Sequence, residues 1–379
     1  MSKQHLLAVF DEASQTKQLI ERLSTPKSDT KISNLVGSSL SFVISNLFKV
    51  TDTPYLLIAE DKEEAAFYLN DLELLLNDKD VLFYPGSYRR PYQLEETDNA
   101  NILLRSEVLN RINSRKKPSV IVTYPTALFE KVVTKKELEK NTLKVTVGEN
   151  LSLDFVNEVL FEYKFKRVDF VTEPGDFSVR GGIIDVFSFS NDEPYRIEFF
   201  GDEIDSIRSF DVETQLSKEK LKKVSIMPNV ENKTLQESRE SFLKYISSKT
   251  VIFTKNIDLL VGNLDKFYEK ATEAFNDLSK EIKHAKPAEL FCDGNFILKQ
   301  IEGFTLVNFD AKRHSEIVSE SNKSRPDRSI KSEAINFNTI PQPSFNKKFN
   351  LLIANLNEHH KAGFTNYIFC ANEQQAKRF

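Results

Sequence analysis

The order of hydrophobic patterns predicts an α/β domain on a parallel sheet, followed by a smaller α+β domain with a tightly turned antiparallel sheet. Three observations carry this. Short apolar runs in the first third are separated by long stretches with helical spacing, the signature of parallel strands joined by crossover helices. Near residue 141 that alternation stops. Between residues 167 and 210, strand-like runs crowd together with Gly175, Gly181-Gly182, Asn191-Asp192 and Gly201-Asp202 at turn positions. Strands so closely spaced are expected to pair antiparallel.

In chain order, Ile32, Leu35, Val36, Leu40, Val43 and Leu47 recur at helical spacing. Residues 55–59 have strand character, 63–77 read as an Ala- and Leu-rich helix, and 81–84 as a second strand stopped by Pro85-Gly86. Residues 99–113 are helical, 119–123 a third strand and 126–133 a short helix, so a Rossmann-like or P-loop-like open sheet is expected. In the second domain, 143–147 is a strand and 154–165 a helix through Phe155, Val156, Val159, Leu160 and Tyr163. Strands follow at 167–171, 176–180, 182–187, 195–200 and 204–210. Beyond Met227 the pattern is mixed, with helices around 235–247 and 255–277 and a polar stretch, 312–347, most of it expected to be surface loop or disordered. Phe345, Phe349, Leu352, Ile353 and Leu356 mark an amphipathic helix ended by Gly363, with a strand at 367–370 and the opening of a helix at 373–379. A βα unit cut in its first helical turns is expected of a piece of a longer chain.

At 379 residues, with 40% hydrophobic and 28% charged residues, the chain has the size and composition for two or three ordinary cores. A net charge of −4 argues against a surface that neutralises duplex phosphates, while leaving room for a local basic patch. Cys292 and Cys370 are far apart and lack metal-type spacing, which fits a reducing cytoplasm. The apolar run at 6–10 is too short for a signal-peptide core, and no window reaches the roughly 18 apolar residues of a membrane span, so a cytoplasmic chain is expected.

Enzyme chemistry is not signalled. A nucleotide-hydrolysing loop needs glycines to cradle phosphates, a lysine on the β/γ-phosphates and a Ser or Thr on magnesium. Gly37, Ser38, Ser39 and Ser41 precede a helix like the remnant of such a loop, but the second glycine and the lysine are missing. They read as a helix-entry turn that does not bind ATP. Asp11-Glu12 precedes every strand that could orient an acidic metal box. His359-His360 suits the negative end of a helix, and no catalytic triad or paired-carboxylate arrangement stands out, so no catalytic residue, metal or cofactor is expected.

The informative stretch is 172–217. Side chains alternate across a strand, so Tyr195, Ile197 and Phe199 share one face while Arg196, Glu198 and Phe200 share the other. Phe177 and Val179 likewise face the core, leaving Ser178 and Arg180 opposite. The apolar face should pack on the helix at 155–163, and the other should present Arg180 and Arg196 with Phe200 among them. An aromatic anchor with arginines in a polar ring is the composition of a protein–protein hot spot. The competing reading is that a loop or another domain covers that phenylalanine, or that the turn at Gly201 breaks the alternation. Glu198, Asp202 and Glu203 would repel phosphates, which disfavours nucleic acid as the partner of this face.

These residues also carry a resemblance. Glu173-Pro174-Gly175-Asp176-Phe177-Ser178-Val179-Arg180-Gly181-Gly182-Ile183-Ile184-Asp185-Val186-Phe187 is similar to the signature of domain 2 in UvrB and the bacterial transcription-repair coupling factor, Mfd. Pro194-Tyr195-Arg196-Ile197-Glu198-Phe199-Phe200-Gly201-Asp202-Glu203-Ile204 and Phe210-Asp211-Val212-Glu213-Thr214-Gln215 continue it, and Pro341-Gln342-Pro343-Ser344-Phe345-Asn346 resembles the coupling factor rather than UvrB. The resemblance implies a split, helicase-like domain 1 with a degenerate P-loop and domain 2 inserted in it. The expected parts are domain 1a at 1–140, domain 2 at 141–227, domain 1b at 228–345, and a linker helix with a truncated βα unit at 346–379. It implies that domain 2 binds UvrA, the damage-recognition protein of nucleotide excision repair. Family contacts fall on Arg180, Arg196 and Phe200, and Glu198 on the same face is counted with them. The function implied is recruitment of UvrA in transcription-coupled repair by a non-catalytic module. The motor, RNA-polymerase-binding and DNA-binding parts would lie outside this chain, and other domains of the parent would be intramolecular partners. The alternative is a UvrB-type ATP-dependent, damage-processing helicase core, against which the missing lysine at the Gly37 turn counts.

Overall fold

Local chemistry places the elements of the first lobe. The computed structural model describes residues 3–77, 80–87, 92, 99–114, 117–189, 193–227, 238–278, 284–309, 334–346, 348–366, 368, 374 and 377. The chain opens with α1 (Lys3–Glu12), α2 (Ser14–Leu23), β1 (Asp29–Ser33), α3 (Ser39–Val50), β2 (Tyr55–Ile58), α4 (Lys62–Leu75), β3 (Val81–Tyr84), α5 (Asn99–Ser114) and β4 (Val120–Thr123). Asp61 starts α4 by accepting the Glu64 amide at 2.8 Å. The helical spacing over residues 32–47 is corrected: Ile32 lies in β1, and the helix begins only at Ser39, because Gly37 at φ +59° turns the chain between them.

Next come α6 (Pro125–Phe129), β5 (Val132–Val133), α7 (Lys135–Lys140), β6 (Leu143–Thr146), α8 (Leu153–Glu162), β7 (Lys166–Arg167), β8 (Asp176–Arg180), β9 (Ile183–Val186), β10 (Tyr195–Phe200), β11 (Glu203–Phe210), β12 (Ser217–Leu221) and β13 (Lys223–Ile226). The return to the first lobe runs through β14 (Arg239–Glu240), α9 (Phe242–Tyr245), β15 (Val251–Thr254), α10 (Ile257–Asn276), α11 (Pro287–Leu290), α12 (Gly294–Ile301), β16 (Thr305–Phe309) and β17 (Ile335–Asn336).

Seven strands form a parallel sheet in the order β17-β1-β16-β15-β2-β4-β3. Strands from both ends of the sequence interleave in it, so the lobe is split and the small sheet is inserted. Both faces are buried: Tyr55 and Leu57 of β2 join one core with α3, while Leu56 and Ile58 join the other with α5, α10 and α12. The smaller sheet has the order β12-β11-β10-β9-β8-β7. Val156 and Leu160 of α8 pack on its apolar face with Phe177, Ile184, Val186, Tyr195 and Ile197. The chain enters and leaves this sheet through an antiparallel ribbon of β6 and β13. Ile226 at the end of that ribbon is buried in the small core, and the next residue, Met227, in the core of the large lobe.

Several expectations are corrected. The helix predicted over 126–133 stops at Phe129, and Val132-Val133 pair with β14 instead. The strand predicted over 167–171 shrinks to Lys166–Arg167 and runs parallel to β8, because the chain from Val168 onward loops over the sheet and buries Val171. Within 312–347, Ile335–Asn336 adds the edge strand β17, with Ile335 buried beside β1. The helix expected at 235–247 is only α9 within its described part. No alternation announced β12, whose Ser217–Leu221 side chains are almost all exposed. No described helix is long and apolar enough to cross a membrane.

A second unit, Thr339–Phe379, contains α13 (Phe349–Lys361), none of whose residues is buried. His359, His360 and Lys361 occupy its last turn, where positive charge suits the helix dipole. The strand expected at 367–370 and the helix expected at 373–379 lie largely outside the described residues.

One contact in the large lobe gives a stability prediction. A Cβ on Gly294 would stand 2.4 Å from the Val261 carbonyl oxygen and 2.8 Å from Asp265 Oδ1. The close packing of α12 on α10 thus depends on that missing atom. Gly294→Ala should destabilise the protein by about 1–3 kcal/mol, read as a lower thermal midpoint.

Candidate docking face and the degenerate nucleotide turn

The second face of the small sheet is built by register. Arg196 on β10 stands opposite Asp185 on β9, which stands opposite Ser178 on β8. Ile183 lies opposite both Arg180 and Glu198, forming the next row. Two-residue turns, Gly181-Gly182 and Gly201-Asp202, join these strands, with Gly181 at φ +58° and Gly201 at φ +63°. Such left-handed turn positions favour glycine, and the tight turns hold the strand ends in register. A bulge interrupts the β10–β11 ladder at Glu198/Phe199. The extra residue is Asp205 on β11, so alternation along β10 continues to its end and Phe200 stays on the second face.

That face is divided rather than uniformly open. Val171, Phe187 and Phe210 form a small buried cluster with Val168 and Val212, roofing part of that face. Ser178, placed on this face by alternation, is buried and donates to the Asp169 carbonyl at 3.2 Å. Arg196 lies partly beneath this roof. Its Nε donates to Asp185 Oδ1 at 2.7 Å and its Nη2 to Oδ2 at 2.9 Å, a bidentate pair. Nη1 donates to the Gln215 carbonyl at 3.3 Å, and the guanidinium lies 4.7 Å from the centre of the Phe210 ring. The Asp185 hydrogen bonds hold Arg196 above its usual pKa, against the opposing effect of burial. Its side chain is 17% exposed, so the expectation that it is simply displayed is corrected.

Arg180 also reaches Asp185, Nη2 to Oδ2 at 2.5 Å, but its side chain is 46% exposed and lies over Phe170. Glu198 is half-buried, accepting from the Ser206 hydroxyl at 2.6 Å and pairing with Arg208. Phe200 is 83% exposed, so among the described residues no loop covers it. The structure therefore brings Arg180 and Arg196 onto one carboxylate and leaves Phe200 open at the far end of β10.

Three contributors were missed by the sequence reading. Asp185 stood in the quoted motif without a role, although an acid between Ile184 and Val186 on a strand flanked by arginine strands is a signal for a buried ion pair. Phe170 and Phe210, which stack on Arg180 and Arg196, lay in segments read as plain strand.

The turn at Gly37 sits in the large lobe beside a cleft of about 460 Å³ lined by Ser38, Leu40, Glu64, Phe67, Tyr68, Asp71, Lys255 and Phe309. Ser39 Oγ donates to the Val36 carbonyl at 2.7 Å, and buried Ser41 donates to Asp71 at 3.1 Å. The cation at this cleft, Lys255, is already engaged by Glu60 at 3.1 Å and Glu64 at 3.3 Å. Glu64 and Asp71 thus bring carboxylates to the wall of this cleft, beside a lysine already paired with carboxylates.

Comparison with known proteins is consistent with this architecture. Residues 143–231 match the UvrB interaction domain family. A transcription-repair-coupling factor of Bacillus subtilis is 30% identical over 290 residues, 74% of this chain and 24% of that protein. That of Escherichia coli is 28% identical over 211 residues, 56% of this chain and 18% of its own length. The UvrABC system protein B of Thermotoga neapolitana is 26% identical over 252 residues, 63% of this chain and 38% of its own. The chain thus spans under two fifths of the length of each of these three relatives. With a split parallel-sheet lobe and an inserted antiparallel domain, the chain matches the UvrB interaction domain family in its inserted part and is similar, over more than half its length, to transcription-repair-coupling factors and to UvrB.

Proposed function

We propose that this chain is a non-catalytic docking module that recruits UvrA in transcription-coupled nucleotide excision repair. The observation that carries this reading is Phe200, a large aromatic 83% exposed on the face that also holds Arg180 and Arg196. An exposed aromatic with a neighbouring guanidinium is the usual make-up of an interface anchor. Arg180, Arg196, Phe200 and Glu198 form the proposed UvrA-binding set, the arginines steering acidic groups of the partner and Phe200 filling an apolar pocket. Contacts with RNA polymerase and DNA are assigned to parts of a parent protein beyond this chain, whose other domains are further partners, all in the cytoplasm. The direct test is titration of purified UvrA into the 379-residue chain. Saturable binding supports the proposal, and its absence overturns it.

The UvrB-type alternative, an ATP-dependent helicase core, needs a working phosphate loop. Gly37, Ser38, Ser39 and Ser41 supply no cation, and the cleft beside them is lined by Glu64 and Asp71. Calorimetric titration with Mg-ATP is expected to show no binding in the micromolar range. A saturable micromolar isotherm would restore the alternative.

A further inference from the structure

We propose that Asp185 is the positioning residue of the docking face: its one buried carboxylate fixes both arginines, so that Arg196 braces the surface and Arg180 presents the charge. This rests on the docking reading above and deepens it.

The asymmetry of the cluster carries the inference. The Asp185 side chain is 1% exposed, whereas the side chains of Arg196 and Arg180 are 17% and 46% exposed. Both Asp185 oxygens are taken by Arg196, which is held on further sides by the Gln215 carbonyl and the Phe210 ring. A guanidinium committed in this way has little left to offer a partner. Arg180 contributes a single Nη2 contact to the same carboxylate, so the rest of its planar fork is available at the surface. Two arginines on one carboxylate leave the cluster with a net positive charge, and the exposed member is Arg180. Fixing that side chain before encounter reduces the ordering cost of binding. Phe170, 61% exposed and stacked on Arg180, extends the presented surface with a second aromatic.

The test measures UvrA affinity of the full chain in a double-mutant cycle. Asp185→Asn, nearly isosteric, should weaken binding by about tenfold or more. In an Arg180→Ala background the same change should add little, because the residue it positions is gone. Arg196→Lys keeps the charge but cannot make the fork or the stack, and should lose about as much affinity as Arg196→Ala. Circular dichroism and thermal melts accompany each variant. If Asp185→Asn does not fold, Arg196→Lys decides the question by itself. The inference is overturned if Asp185→Asn binds within twofold of wild type, if its effect adds in full to that of Arg180→Ala, or if Arg196→Lys binds like wild type. Normal UvrA binding by both Arg180→Ala and Phe200→Ala would instead defeat the docking reading, which is a distinguishable result.

Discussion

Phe200→Ala is expected to abolish capture of UvrA in a pull-down and to leave the fold intact. The ring is 83% exposed in the free chain, so removing it costs the folded state little, within about 0.5 kcal/mol as for surface substitutions generally. In a complex the same ring would be buried, and truncating a central aromatic anchor typically costs about 2 kcal/mol or more, roughly a 30-fold rise in Kd. Arg196→Ala should have a similar effect on binding, since it removes the brace on Asp185. For Phe200→Ala, an unchanged thermal midpoint together with lost binding identifies an interface residue. If both variants still capture UvrA, the docking face lies elsewhere on the domain.

The largest expected effect on stability lies in the other lobe. Arg105 is fully buried, its Nη2 3.4 Å from Glu130 Oε2, its Nη1 2.8 Å from the Pro85 carbonyl, and its guanidinium 4.4 Å from the centre of the Tyr84 ring. Tyr84 in turn stacks on Phe242 at 3.8 Å, and Glu130 accepts from the amide and hydroxyl of Ser87. Arg105→Ala would remove a buried counter-charge from the Glu130 carboxylate and open a void beside the Tyr84–Phe242 stack. Breaking a buried pair from one side costs about 3–5 kcal/mol. The urea midpoint of the large lobe should fall accordingly. Restoring an apolar match with Arg105→Met and Glu130→Leu together should recover much of the loss. A midpoint unchanged by Arg105→Ala would show that the pair carries no net stability.

How far these features were legible in the sequence follows from how locally each is encoded. Strands β8 and β10 were readable to the residue because alternation and flanking glycine turns both reside in the strand itself. The same parity placed Phe200 on the second face, where the structure has it. What parity could not supply was the roof over part of that face. Burial of Val171 with Phe210 depends on a loop folding back across the sheet, a contact between segments with no common pattern. The parallel pairing of β7 with β8 escaped for the same reason: two residues of ladder leave no periodicity. Strand β12, with Lys218 held by Glu193 at 2.9 Å and Asp211 at 3.0 Å, is polar because it is an exposed edge. At the Gly37 turn the missing lysine was plain, but the carboxylate wall from α4 and the capture of Lys255 appear only once β15 lies beside β2.

The step from Ile226 to Met227 has a mechanical consequence. Consecutive residues anchored in two different cores leave no slack on that side, and the companion crossing, β6, is bonded to β13 along four residue pairs. The inserted domain is therefore mounted as a bracket rather than hung on a tether. Torque applied at Phe200 by a bound partner passes into the parallel sheet instead of being dissipated in a swivel, so whatever docks there has its bearing set by the large lobe.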